Sequence, residues 1–171
     1  MPNLRAAVDL VQNTRAMRPY GLTVLRLAVG AVFIAHGAQK LFGIWGGGGL
    51  ARTAAYFASL GLNPAYPLAV LVGTLEFGGG LLLVLGGATA WVSLALAAEM
   101  AAAAWKVHYH NGFFLNWNGT PGRGHGVEYN LVLIGALVAL ALSGPGALSL
   151  DERRHSDREA RARGRARIRK V

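Results

Sequence analysis

The chain has 171 residues, of which 53% are hydrophobic and only 15% are charged. Because soluble domains average about 25% charged residues, this composition indicates an integral membrane protein. The absence of cysteine excludes a disulfide framework, a CxxC redox pair, a cysteine-ligated iron–sulfur cluster and a thiol nucleophile within this chain. The net charge of +9 is uneven, since residues 151–171 contribute +5 of it. It therefore does not argue for nucleic acid, and we expect no nucleic-acid partner.

The first predicted element lies within residues 1–20, where apolar residues recur at helical spacing among three arginines: Leu4, Ala7, Val8 and Val11, with Arg5, Arg15 and Arg18. This pattern predicts a short amphipathic helix on the membrane surface that ends before Pro19. A cleavable signal peptide is not expected, because the apolar stretch that follows is too long for an h-region and no A-x-A site comes after it.

A first spanning helix is predicted from Leu22 to Phe42, since a bilayer crossing needs roughly 20 apolar residues. Polar side chains interrupt this stretch at Arg26, His36, Gln39 and Lys40. On a helix, one stripe beside His36 holds five residues at helical spacing: Arg26, Gly30, Phe33, Gly37 and Lys40. Because charged side chains are costly in lipid, this stripe must face other protein or water.

The loop that follows begins with the glycine run 46–49, which lacks the Lys-Ser/Thr of a phosphate-binding loop and is interpreted as a flexible turn. Residues 50–60 carry apolar side chains on one face and predict a short interfacial or re-entrant helix that stops at Gly61. A second spanning helix is predicted over residues 67–85, with Glu76 near the middle of the membrane on a glycine-lined stripe.

A third spanning helix is predicted over residues 90–107, with Glu99 near its middle and Lys106 on the same face. The loop 108–126 is rich in aromatic residues and glycine. A fourth spanning helix is predicted over residues 127–142.

Together these elements predict an all-α transmembrane four-helix bundle at residues 21–150, preceded by the N-terminal amphipathic helix at 1–20. Small residues on the helices are interpreted as packing surfaces. The basic C-terminal tail, 151–171, is expected to be disordered or bound to anionic lipid. Because basic residues concentrate in the two tails, the positive-inside rule predicts four spans with both termini in the cytoplasm.

Two carboxylates, Glu76 and Glu99, fall inside the predicted membrane region. One interpretation is a buried Arg26–Glu76 pair that fixes the helix register, since an unpaired charge there costs several kcal/mol. Another is a carboxyl group that exchanges a proton with a bound quinone headgroup. Passage of an ion or a small solute is the third.

A second group of polar residues is predicted at the outer ends of the helices, where it could bind a quinone or a small anion: His36, Gln39, Lys40, Lys106, His108, His110 and Glu128. Arg26 is also predicted to bind the ligand. Their histidines and lysines could hydrogen-bond a carbonyl oxygen. The alternative is that they are snorkelling lysines and interfacial histidines. His108 and His110 with His125 could hold zinc or copper, and His36 with His110 could ligate haem. No spacing is diagnostic, so we expect neither metal nor haem in the chain.

Several segments together resemble the DoxX family of small bacterial four-helix membrane proteins: RLAVGAVFIAHGAQKLFG, VGTLEFGGGLLLVLG, the helix with Glu99, GVEYNLVL and GPGALSLD. The resemblance covers roughly residues 21–151 and implies a four-helix bundle in the bacterial plasma membrane. It also implies an association with redox chemistry. DoxD relatives are subunits of a thiosulfate:quinone oxidoreductase, and some DoxX members work in oxidoreductase complexes under oxidative or thiol stress. Any thiol chemistry would belong to a partner, since this chain has no cysteine.

We therefore expect a subunit of a membrane redox system that binds a quinone-like carrier in the helix bundle. Glu76 or Glu99 would exchange protons, His36 or Lys40 would polarise the carrier's oxygen, and a soluble or membrane partner would supply electrons. The alternative is a non-catalytic scaffold, an assembly factor or a small-solute permease. A permease would need a homo-oligomer, because one four-span chain offers only a thin pathway.

Overall fold

The computed structural model describes residues 14–168, with side chains described for residues 16–163. Most of the surface helix predicted at residues 1–20 therefore lies outside the described residues. Within the described part of the chain, the α-helices are α1 Thr14–Phe42, α2 Gly49–Ser59, α3 Ala65–Leu85, α4 Thr89–Ala103, α5 Glu128–Ser143 and α6 Leu150–Ile168. A π-helical turn, Ala104–His108, and a 3-10 turn, Tyr109–Asn111, prolong α4.

Among the residues that the structure describes, three helical segments are long and apolar enough to cross a membrane: Ala16–Phe42, Ala65–Leu85 and Thr89–Asn111. The apolar helix α5 is shorter, at 16 residues. In the bundle, α1 and α4 each pack against both α3 and α5, so the four apolar helices form a closed ring. This architecture confirms the prediction of an all-α membrane helix bundle.

Glycines allow α1 and α3 to approach closely. A Cβ atom added at Gly30 would lie 2.9 Å from the carbonyl oxygen of Gly80, and one added at Gly80 would lie 2.7 Å from that of Gly30. A Cβ atom at Gly37 would collide with the backbone of Phe77. The prediction that small residues form packing surfaces is confirmed for Gly30, Gly37 and Gly80 but not for Gly78, where an added Cβ atom meets nothing within 4 Å, or for the exposed Ala101. The confirmed contacts fix an antiparallel register between the two helices.

The two ends of the bundle differ in their connections. We call the end with segments 43–64 and 104–127 the loop end, and the end with the turn 86–88 and the segment 144–149 the tail end. The apolar core includes fully buried Leu83, Leu96 and Leu137. Because these leucines come from three different helices, they close the centre of the bundle.

Helix α1 begins at Thr14 and continues through Pro19, so the prediction that a separate helix ends before Pro19 is wrong. Pro19 lies inside α1, where its ring removes the amide donor of one intrahelical hydrogen bond. Its carbonyl oxygen accepts hydrogen bonds from the Thr23 hydroxyl at 3.0 Å and from the Ala147 amide at 3.0 Å. The bond from Ala147 attaches this part of α1 to the segment that follows α5.

The basic tail forms helix α6 over residues 150–168, so the expectation of disorder there is wrong. Its first turn carries a helix-starting signal, since the Glu152 amide donates to the Ser149 hydroxyl at 3.1 Å. The acidic Asp151 and Glu152 also suit the positive end of the helix dipole. Polarity alone suggested disorder, whereas these local capping residues favour a helix.

Asp151 connects α6 to α4. Its carboxylate accepts hydrogen bonds from the Ala88 amide at 2.9 Å and the Thr89 amide at 2.8 Å. Partial burial opposes ionisation of Asp151, but these hydrogen bonds outweigh it and hold the pKa of this carboxyl below its ordinary value. One side chain thus caps a helix 62 residues away in the sequence.

Candidate functional site

A cavity of about 770 Å³ occupies the loop-end half of the bundle. Residues from all four bundle helices line it, and α2 and the loop before α5 also contribute to its walls. Most of the lining is aliphatic or aromatic, whereas the polar groups are few: His36, Lys40, Tyr56, Glu76, Glu99, Lys106, His108, His125, Tyr129 and Asn130. A large apolar cavity with a few polar groups is typical of a small-molecule binding site.

An ion pair between Lys40 and Glu76 lies in the cavity wall. The Lys40 ammonium is 2.6 Å from Glu76 Oε2 and 2.9 Å from Oε1. The Glu76 side chain is only 2% exposed, and the Lys40 side chain is 26% exposed. Both carboxylate oxygens of Glu76 are therefore engaged by one counter-charge.

The predicted Arg26–Glu76 pair is wrong. Arg26 is buried at the tail end, where its Nη2 donates to the carbonyl oxygen of Leu148 at 3.3 Å. The helix register explains the difference. Gly37 packs against Phe77 and Gly30 packs against residue 80. In this register Arg26 lies beside the turn after α3, and Lys40 lies beside Glu76.

Glu99 projects from α4 into the same cavity. Its Oε2 atom is buried and has no hydrogen-bond partner among the residues that the structure describes. The two carboxyl groups predicted from the sequence thus face one cavity in different environments.

The rim of the cavity is formed partly by the π-helical turn after α4. The Lys106 ammonium lies 4.5 Å from the centroid of the Trp105 ring, a cation–π contact. His108 Nδ1 is 2.9 Å from the His125 carbonyl oxygen, and His125 Nδ1 accepts the Asn116 amide at 3.1 Å. These contacts hold the loop over the mouth of the cavity.

The structure divides the predicted outer cluster into two sets. The side chains of His36, Lys40, Lys106 and His108 line the cavity together with the two carboxyl groups.

The other three predicted residues do not line it. Gln39 Nε2 donates to the Trp45 carbonyl oxygen at 3.1 Å, and Glu128 Oε2 accepts the Leu115 amide at 3.0 Å. The exposed His110 packs edge-to-face against Tyr109. In this structure Gln39 and Glu128 serve to order loops.

Sequence reasoning did not identify Asn130, which is 5% exposed and lines the cavity from α5. Its Nδ2 is 3.7 Å from the sulfur of Met100, another lining residue. A lone amide in the apolar helix 128–143 is the signal that could have revealed it, because a polar side chain in a spanning helix is expected to face the bundle interior.

Among the described residues, no three His, Asp or Glu side chains converge as metal ligands. His108 Nδ1 already contacts the backbone carbonyl oxygen of His125, and His125 Nδ1 already accepts the backbone amide of Asn116.

These features define the protein as a small membrane helix bundle whose interior holds an apolar cavity with buried charged groups. The family model DoxX matches residues 21–109. The chain therefore belongs to the DoxX family.

Curated relatives span nearly the same length. The inner membrane protein YphA of Escherichia coli K12 is 31% identical over 145 residues, covering 81% of this chain and 93% of the relative. The inner membrane protein YqjF of the same organism is 29% identical over 137 residues, with 80% and 94% covered. The Bacillus subtilis 168 protein named "Putative oxidoreductase CatD" is 30% identical over 131 residues, with 77% and 84% covered. No solved structure matches the chain significantly.

Proposed function

We propose that this protein is a subunit of a membrane redox system and binds a quinone-like carrier in the bundle cavity. The observation that carries the proposal is the apolar cavity of about 770 Å³ with Lys40, Glu76 and Glu99 in its wall. A quinone needs an apolar slot for its ring and tail and a few polar groups for its carbonyl oxygens. Similarity to a Bacillus subtilis protein whose name contains the word oxidoreductase also supports a role in a redox system.

Residues of the site have distinct proposed roles. His36 or Lys40 would polarise a carbonyl oxygen of the carrier, and Glu76 or Glu99 would exchange protons with it. The chain has no cysteine, so a soluble or membrane partner protein would supply the electrons.

The proposed setting is the bacterial plasma membrane, crossed four times, with both termini in the cytoplasm. Exposed Trp45, Trp105 and Trp117 at the loop end would form an aromatic belt at the outer interface. The arginine-rich helix α6 would face the anionic inner leaflet.

A transport pathway is the competing reading of the cavity. Leu96 and Leu137 lie one helical turn from the cavity-lining residues Met100 and Leu133, on the tail-end side, and are fully buried. Leu83 closes the same region from α3. This continuous packing favours a binding site that opens toward one end over a channel through the bundle.

The test is saturable binding of a radiolabelled short-chain ubiquinone to the detergent-purified protein. Ala103 lines the cavity, whereas Ala101 is exposed and is absent from the lining. We expect Ala103→Phe to weaken binding about tenfold or more, because overpacking costs about 1–3 kcal/mol. The matched control Ala101→Phe should bind like the parent protein. Absence of saturable binding by the parent protein would overturn the proposal.

A further inference from the structure

We propose that Glu99, rather than Glu76, is the carboxyl group that donates a hydrogen bond to a carbonyl oxygen of the bound carrier. This inference rests on the proposed function, since it assigns a contact within that same cavity. The sequence does not distinguish Glu76 from Glu99, because both are single glutamates in apolar helices. The structure shows different surroundings for the two side chains.

Both carboxylate oxygens of Glu76 are already hydrogen-bonded to Lys40. Its two oxygens lie 2.9 and 2.6 Å from the Lys40 ammonium, and the side chain is 2% exposed. A ligand atom that replaced the ammonium would have to separate a buried ion pair, which leaves an uncompensated charge. The Lys40–Glu76 pair therefore acts as a neutral, fixed part of the wall.

Glu99 has the opposite character. Its Oε2 atom is enclosed by protein and has no hydrogen-bond partner in the described residues. The side chain lines the cavity, so a ligand would meet the carboxyl group at its other oxygen, Oε1. An unpaired polar atom in such a place is costly, so a ligand that pairs with the carboxyl group gains affinity. The unpaired carboxyl group thus points to a polar contact that the ligand itself supplies.

Charge balance favours the neutral acid as the form that meets the ligand. The Lys40 ammonium is already paired with Glu76. The remaining cavity cation, Lys106, is held over the Trp105 ring, and His36 faces the cavity from α1. A neutral carboxylic acid carries one O–H donor, which suits a carbonyl oxygen.

A second polar group of the cavity is only weakly satisfied. The Asn130 amide reaches the Met100 sulfur at 3.7 Å, and a thioether is a weak acceptor. Asn130 lies beside Met100, and Met100 follows Glu99 directly in the sequence. The Asn130 amide and the Glu99 carboxyl group therefore lie at a similar depth in the bundle. A ring with an oxygen on each side could accept from Glu99 and from Asn130.

The experiment uses the full chain in lipid nanodiscs and a short-chain ubiquinone labelled with carbon-13 at a carbonyl. Infrared difference spectroscopy reads the frequency of that carbonyl, and equilibrium binding gives the affinity. In the parent protein we expect a downshifted carbonyl band and a carboxylic-acid band that responds to binding. Glu99→Leu should lose both and bind about tenfold more weakly, the loss expected for one hydrogen bond.

Glu99→Gln is the second variant. Its amide still donates a hydrogen bond, so affinity should stay within about threefold of the parent value, while the carboxylic-acid band disappears. If the parent protein binds no quinone, the proposed function itself fails. If the parent binds and Glu99→Leu keeps the affinity and the downshifted carbonyl band, only the assignment to Glu99 is overturned.

Discussion

Replacing Lys40 by methionine should destabilise the protein by leaving Glu76 buried without its counter-charge. Removal of one partner from a buried pair costs about 3–5 kcal/mol in soluble proteins. Two features reduce this value here: the Lys40 side chain is 26% exposed, and polar groups of unfolded membrane helices find other partners. We therefore expect about 2–3 kcal/mol for Lys40→Met. At about 2–4 °C for each kcal/mol, the Tm should fall by about 5–10 °C.

The assay is thermal unfolding of detergent-purified protein at neutral pH, followed by circular dichroism. The double variant Lys40→Met/Glu76→Met removes both charges and should recover most of the lost Tm, because a buried ion pair can be replaced by apolar side chains at little cost. An unchanged Tm for Lys40→Met, or a double variant no more stable than the single one, would refute the reasoning.

Two further predictions concern packing and capping. Gly37→Ala should lower the Tm, since a Cβ there collides with the backbone of Phe77, whereas Gly78→Ala should not, because a Cβ there meets no atom within 4 Å; overpacking costs about 1–3 kcal/mol. Asp151→Ala should cost about 1 kcal/mol by uncapping α4. Because the pKa of Asp151 is lower in the folded protein than its ordinary 3.8, its contribution is complete above that pH and is lost as the pH falls through the folded value. Parent protein should therefore lose more stability than the variant during acid titration monitored by thermal unfolding.

The fold could be predicted from the sequence because the spanning helices are encoded locally. Apolar length gave α3 within two residues of its observed start at Ala65. Helical spacing placed Gly30, Gly37 and Lys40 on one stripe, and the structure packs those two glycines against α3 and directs Lys40 to Glu76. Periodicity therefore identifies the inner face of a helix well.

Periodicity does not identify what that face contacts. The stripe of α1 carries two cations 14 residues apart, Arg26 and Lys40, of which only Arg26 was predicted to pair with Glu76. The partner of Glu76 depends on how far α3 is shifted along α1. That shift is set by the glycine contacts between the two packed helices, and these contacts are not visible in the sequence. Pairing across helices is therefore a tertiary property, and the choice of Arg26 was wrong for that reason.

Loop contacts were equally hidden from the sequence. Gln39 and Glu128 carry groups suited to a ligand, yet their observed partners are backbone atoms of Trp45 and Leu115. Such partners depend on the path of an irregular segment, and residue type does not reveal that path. Asn130 shows the converse, since its helix was predicted and its role in the cavity wall was not.

Photolabelling with a photoreactive quinone would examine the cavity as a carrier site without relying on any substitution. The purified protein in lipid nanodiscs is irradiated with the probe, and adducts are mapped by mass spectrometry with and without excess unlabelled short-chain ubiquinone. We expect adducts in the cavity-lining parts of α1, at residues 32–40, and of α4 with the π-helical turn that follows it, at residues 99–108. We expect the competitor to suppress these adducts. Adducts confined to exposed residues such as Trp91 and Leu142, and unaffected by the competitor, would contradict a quinone site in the bundle.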